Sequence, residues 1–345
     1  MNWFEQKILG LLVKTHGKIS KPLFGGLGHI FMLHRVLPDN LRNQFTYNRD
    51  LAITPEFLEE SIQYFIKEGY QFVSLDELNI ILNQGLGSNK KKLICFTLDD
   101  GYKDNWQYGL PVFKKYNIPI TLYVTNCFPN YTANLWWYWL EEKISRNSSV
   151  IFNKVEYSCN SEKKKLELYN KLRIFLKNSS IEEIRAIARD FFDKTDEIIK
   201  SEVENLSLSW SDIQELNQEE LVTIGAHTQN HVSLKHIKLE DDLRKEIQTA
   251  KIELETYLGE KVKHFAYPYG GLEDAGAREY RMVKDLGFDT ATLNYAGNIF
   301  NQHKSSIFAL PRYPLGNSIS REKLNYFLNG VYHFSTNQFN KTINY

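Results

Sequence analysis

Cysteine is scarce in this chain, with Cys95, Cys127 and Cys159 the only three in 345 residues. They are too few and too scattered for a disulfide framework or a Cys-x-x-Cys metal site, and suit a reducing compartment. An excess of one charge is also lacking, since 42 basic residues face 42 acidic ones. A neutral chain is not a general nucleic-acid binder, which needs surplus Lys and Arg to release phosphate counterions. No apolar run approaches the roughly 18–20 residues that span a bilayer. The best leader candidate, Ile8 to Val13, is shorter than a typical h-region of about 7–15 residues and lacks its basic preface and cleavage site. A cytoplasmic chain is the expectation.

What is present is an ordinary globular composition, 42% hydrophobic and 24% charged. The length suggests about two domains, or one large domain with insertions. Residues 1–28 read as an amphipathic helix, with Trp3, Phe4, Ile8, Leu11 and Leu12 opposite Lys7 and Lys14. It is expected to dock on the protein body, with peripheral membrane contact as the alternative. Residues 29–129 and 210–330 then alternate short apolar strands with helices. Thr54-Pro55-Glu56 carries a helix start and Gly69 a stop. Leu93–Leu98 and Ile118–Thr125 are continuous apolar runs of the fully buried kind. Residues 130–209 read as helix after helix, an insertion, and 331–345 as a loosely held polar tail. Seven or eight strands of this kind, Ile307–Leu310 the last, predict a parallel α/β barrel covered by helices. Chemistry in such barrels sits at the C-terminal ends of the strands.

That rule selects residues. Leu93–Leu98 runs into Asp99-Asp100-Gly101, where adjacent carboxylates point opposite ways. One can hold a cation while the other faces water, or the pair can be a plain Asp-Gly turn with Asp100 capping the next helix. The strand Leu221–Ala226 ends in His227-Thr228-Gln229-Asn230-His231. Two histidines four apart on one helical turn could reach one metal. Val262–Tyr267 ends in Pro268-Tyr269-Gly270-Gly271, a sharp turn able to pass under a ligand. His34-Arg35 closes the first strand, and Arg312 follows Leu310-Pro311.

Together these segments resemble the polysaccharide deacetylase (NodB-homology) family of carbohydrate esterases. Thr97-Leu98-Asp99-Asp100-Gly101 is similar to the family's Thr-Phe-Asp-Asp-Gly, and His227 to His231 to its His-Ser/Thr-x-x-His. Phe265-Ala266-Tyr267-Pro268-Tyr269-Gly270 resembles a third motif. Met32-Leu33-His34-Arg35-Val36 resembles the Met-Tyr-His-Arg-Val of a rearranged branch. The resemblance implies an irregular (β/α) barrel of about seven parallel strands. It also implies that Asp100, His227 and His231 hold a divalent metal, zinc first, with cobalt, manganese, nickel or iron as alternatives. Asp99 would be the general base, and the Tyr269 N–H would help form the oxyanion hole.

Two departures from the family pattern matter. Ala266 stands where the family has an Arg that orients the base, and Arg312 is the expected substitute. The late Leu-x-His motif that supplies the acid is missing, and His303 lies in that region without it. His34 is therefore the expected general acid. The implied activity is removal of an N-acetyl group from a sugar of a polysaccharide or of a lipid- or nucleotide-linked glycan precursor. The rivals are a metal-dependent amidase on a small non-sugar amide, and a catalytically silent sugar-binding module. The aromatic run Leu135 to Leu140 is expected to be a packed helix face, with sugar stacking or a lipid foothold as alternatives.

Overall fold

The computed structural model describes residues 21, 23–42, 46–85, 91–337 and 340–342. The predicted helix over Trp3 to Lys14 lies outside the described residues. Among the described residues twelve strands are formed: β1 (Gly28–Leu33), β2 (Arg35–Val36), β3 (Ala52–Ile53), β4 (Gln71–Phe72), β5 (Leu93–Leu98) and β6 (Ile120–Val124). They continue with β7 (Ser149–Phe152), β8 (Val155–Ser158), β9 (Val222–Ala226), β10 (His264–Ala266), β11 (Thr290–Thr292) and β12 (Tyr313–Pro314).

Seven strands make one parallel sheet in the order β11-β10-β9-β6-β5-β1-β12, and short β4 pairs with the first residues of β5. Every residue of β1, β5 and β6 is buried, as strands covered on both faces require. The sheet curls into the expected irregular barrel. One segment closes it: Leu310 bridges to Thr292 beside β11, and three residues later Tyr313 pairs with Phe31 of β1. Between those two contacts lies Arg312, with no exposed surface.

The covering helices start where local chemistry says they should. Thr54 caps the helix Pro55–Lys67 by accepting the Phe57 N–H at 3.1 Å. The helix Glu240–Leu258 stops at Gly259 in the left-handed conformation. Among the described residues no helix is long and apolar enough to cross a membrane.

Three expectations are corrected. Ile307–Leu310 is not the last strand but the end of a 3₁₀ stretch, Asn301–Ala309, and β12 follows it. The insertion is not wholly helical, because β7 and β8 form an antiparallel hairpin. Its turn residues Asn153 and Lys154 both have positive φ, a turn geometry that usually advertises itself with Gly. Residues after Val331 are not simply a loose tail, since Val331–Thr336 is a helix with His333 buried. The aromatic run is the packed helix face expected of it, because Trp136, Trp137 and Trp139 are buried in a core shared with Tyr102, Cys127 and Phe128.

Candidate active site

Strand β5 delivers Asp99 and Asp100 to the C-terminal mouth of the barrel, and β9 delivers His227. His231 does not share a helical turn with His227, as its spacing suggested. The segment between them is an irregular loop in which Thr228 and His231 have positive φ. Asp100 and Tyr269 do too, so four of the nine described non-Gly residues with positive φ lie at this one mouth. Such backbone costs of order 1–3 kcal/mol per residue and persists only where surroundings over-determine it.

They do here. The Thr228 carbonyl accepts from the Asn126 N–H and the Thr125 hydroxyl, both at 3.1 Å. The Thr228 hydroxyl accepts the His231 N–H at 3.0 Å. Buried Glu246 accepts from the Asn230 N–H and side-chain amide at 2.6 and 2.8 Å. On the β10 side, a side chain on Gly270 would bring its Cβ within 2.5 Å of the Asn294 nitrogen, so the turn after Tyr269 requires glycine.

Asp100 Oδ1 faces His227 Nε2 at 3.4 Å and His231 Nε2 at 3.3 Å. Neither contact has hydrogen-bond geometry, which leaves a buried carboxylate oxygen without a partner. These spacings are those of neighbouring corners of a tetrahedral site, about 3.3–3.5 Å for bonds of about 2.0–2.2 Å. His227 Nδ1 lies 2.8 Å from the Ala266 carbonyl. A carbonyl can only accept, so Nδ1 carries the proton and Nε2 presents its lone pair. The donor set fits a divalent cation. Burial opposes charge on Asp100, yet His231, His227 and His34 together hold its carboxyl well below the usual carboxylate range.

Asp99 has a different partner. Arg312 grips it with two parallel bonds of 2.6 and 2.8 Å, while donating also to Thr97 Oγ1 and to the Leu293 carbonyl. Burial works against the Asp99 charge, but Arg312 and His227 outweigh it and lower its pKa. The guanidinium thus reaches Asp99 from the closing segment between Leu310 and Tyr313. His34 stands at the end of β1 and lines the same cleft. Burial, with Arg312 and His227 nearby, outweighs the pull of Asp100 and Asp99 and lowers its pKa. Its carbonyl accepts from the Asn105 side-chain amide at 3.0 Å, at the start of a π-helical turn, Asn105–Gly109. Arg35 faces away, buried in an ion pair with Asp104 at 2.8 Å. His303 lines no part of the cleft, and its Nδ1 accepts the Phe300 N–H at 3.0 Å.

The cleft encloses about 450 Å³ and brings together Asp99, Asp100, His227, His231, His34, Tyr269 and Arg312. The Tyr269 N–H has no acceptor among the described residues. The insertion builds the far wall from Trp136 and Trp137, of the aromatic run singled out in the sequence, and from Tyr169, Asn170, Arg173 and Lys177, which sequence reasoning missed. Trp137 lies 5.6 Å from the His231 ring, with its buried indole N–H unpartnered. Glu141 ties that wall to the barrel by accepting from the N–H groups of Thr46, Tyr47 and Asn48. The spacing of residues 166, 169, 170, 173 and 177 signals one helix face, but not what that face looks at.

Comparison with known proteins agrees with the geometry. The family model for polysaccharide deacetylase matches residues 87–146 and 175–291. The Bacillus subtilis protein YxkH, which carries a polysaccharide deacetylase name, is 28% identical over 88 residues, 26% of this chain and 31% of that protein. The chain thus matches about a third of that curated relative's length. Among solved structures, the Streptococcus pyogenes deacetylase PplD in complex with acetate has a TM-score of 0.57 at 17% identity, covering 87% of this chain and 97% of that one. IcaB from Ammonifex degensii gives 0.53 at 17%, with coverage of 88% and 98%. The de-N-acetylase from Aggregatibacter actinomycetemcomitans gives 0.55 at 14%, with 87% and 98%. These likenesses show the fold. This chain belongs to the polysaccharide deacetylase family.

Proposed function

We propose that the chain is a metal-dependent hydrolase that removes N-acetyl groups from a sugar of a glycan or glycan precursor, releasing acetate and a free amine. One observation carries the reading. A buried, unpartnered Asp100 oxygen faces two imidazole nitrogens while neighbouring Asp99 is held ionised by a bidentate Arg312 in the same cleft. Asp100, His227 and His231 would hold the cation, zinc by preference, with cobalt, manganese, nickel or iron suited to the same donors. A divalent ion there supplies Lewis acidity to the hydrolytic water and the acetamide carbonyl.

The chain's own residues do the rest. Asp99 takes a proton as water adds to the carbonyl carbon, and Arg312 keeps the carboxylate aimed. The Tyr269 N–H donates to the developing oxyanion, a contact typically worth about 3 kcal/mol. His34 gives a proton to the nitrogen as the C–N bond breaks, so the leaving group departs as an amine. Its lowered pKa makes the imidazolium a stronger donor and a rarer one.

Asp99→Asn and His34→Ala should each retain metal and lose about 10²-fold or more in acetate release. Wild-type turnover by either variant would remove that residue's role.

A further inference from the structure

The family match breaks between residues 146 and 175, yet part of that gap faces the catalytic groups. The helix Glu162–Lys177 turns Tyr169, Asn170, Arg173 and Lys177 into the cleft. Two of these are already engaged within the protein. Lys177 pairs with Asp274 at 2.9 Å and Glu273 at 3.4 Å. Tyr169 donates to Asn48 Oδ1 at 2.8 Å. Arg173 differs. It is exposed and lines the cleft, and among the described residues it has no carboxylate within 4.0 Å and the neighbouring Asn170 side chain has no hydrogen-bond partner. Its charge is felt at the Tyr169 and Tyr269 hydroxyls, and the Tyr269 ring lies 5.0 Å from that of His231. A planar five-donor cation with no counterion is suited to bidentate capture of a phosphate or carboxylate.

We propose that Arg173, with Asn170 beside it, forms an anion subsite, and that the substrate carries a phosphate or carboxylate next to the sugar that is deacetylated. The subsite rests on the deacetylase reading for its position relative to the reacting bond, but not for its binding chemistry. Phosphate would mark a carrier-linked or nucleotide-linked precursor, and carboxylate a uronate-containing polymer.

Titration calorimetry on the full chain tests this with three probes: N-acetylglucosamine, N-acetylglucosamine 1-phosphate, and a disaccharide of N-acetylglucosamine with glucuronate. Wild type should bind one anionic probe at least about tenfold tighter than the neutral sugar, and which one identifies the anion. Arg173→Gln should abolish that preference, while Arg173→Lys keeps part of it. The same ratio should appear in the kcat/KM of acetate release, through KM. Equal binding of all three probes by wild type, or an unchanged preference in Arg173→Gln, would overturn the subsite. If the binding preference holds but no probe releases acetate, the subsite stands and the deacetylase reading on these sugars fails.

Discussion

Removing the Arg312 guanidinium would leave Asp99 buried and unpaired, the costly way to break an internal ion pair. Arg312→Met should lower unfolding stability by about 3–5 kcal/mol. It should also raise the Asp99 pKa, so the acid limb of the pH–rate profile moves to higher pH. An unmoved limb would mean that Arg312 does not keep the base ionised. A second buried group makes a claim about stability. His29 sits among Phe31, Tyr70 and Tyr313, and burial, aided by Lys92, lowers its pKa to about 3. The unfolded chain binds that proton near pH 6.5 and the folded one does not. The contribution from a neutral His29 is therefore complete above pH 6.5 and shrinks as pH falls toward 3, by about 1.4 kcal/mol per unit. In urea unfolding between pH 7 and 4, His29→Phe should flatten the slope by one proton. At this scale much was legible. Asp99, Asp100 and both histidines could be picked because strand ends are where barrels place their chemistry. Arg312 could be picked only by asking what replaced the missing Arg at Ala266. The 3₁₀ stretch before it was misread as a strand because Ile307–Leu310 is apolar, and apolarity does not distinguish the two.

Elements with local signatures were readable, and elements set by tertiary contact were not. The helix Pro55–Lys67 carried its Thr cap and Pro, and Glu240–Leu258 carried its Gly stop. The Asn153-Lys154 hairpin had no such marker. The π-turn Asn105–Gly109 was invisible because its cause lies elsewhere in the chain. Asp104, just before it, binds Arg35 and the Val36 N–H, and Asn105 holds the His34 carbonyl. The insertion's role in the cleft was hidden for the same reason. Its helix Trp136–Arg146 reaches the barrel through Glu141, whose carboxylate gathers the N–H groups of Thr46, Tyr47 and Asn48. Glu141→Ala should cost about 1.5–3 kcal/mol per lost charged hydrogen bond at most, discounted for water that enters. More tellingly, it should raise KM several-fold with metal content unchanged, because Tyr47, Asn48, Asp50 and Leu51, which also line the cleft, lose their anchor. A wild-type KM would show that these residues do not touch substrate.

At the scale of the whole molecule, the barrel converts separation along the chain into proximity. Asp100 and His231 are 131 positions apart in sequence, yet their ligand atoms lie 3.3 Å apart. The alternating strands made that convergence foreseeable, whereas closure through the short segment Leu310–Pro314 was not. That segment both completes the barrel and carries the arginine that grips Asp99, so the fold and the cleft share one structural device. The central claim is that one cation, gripped by Asp100, His227 and His231, enables amide hydrolysis. The most direct measurement is acetate release from an N-acetylated sugar by chelator-stripped protein titrated with zinc. The account predicts activity rising linearly to a plateau at one equivalent in wild type, with His231→Ala inactive throughout. Full activity in the stripped protein, or restoration of His231→Ala at the same equivalence, would contradict it.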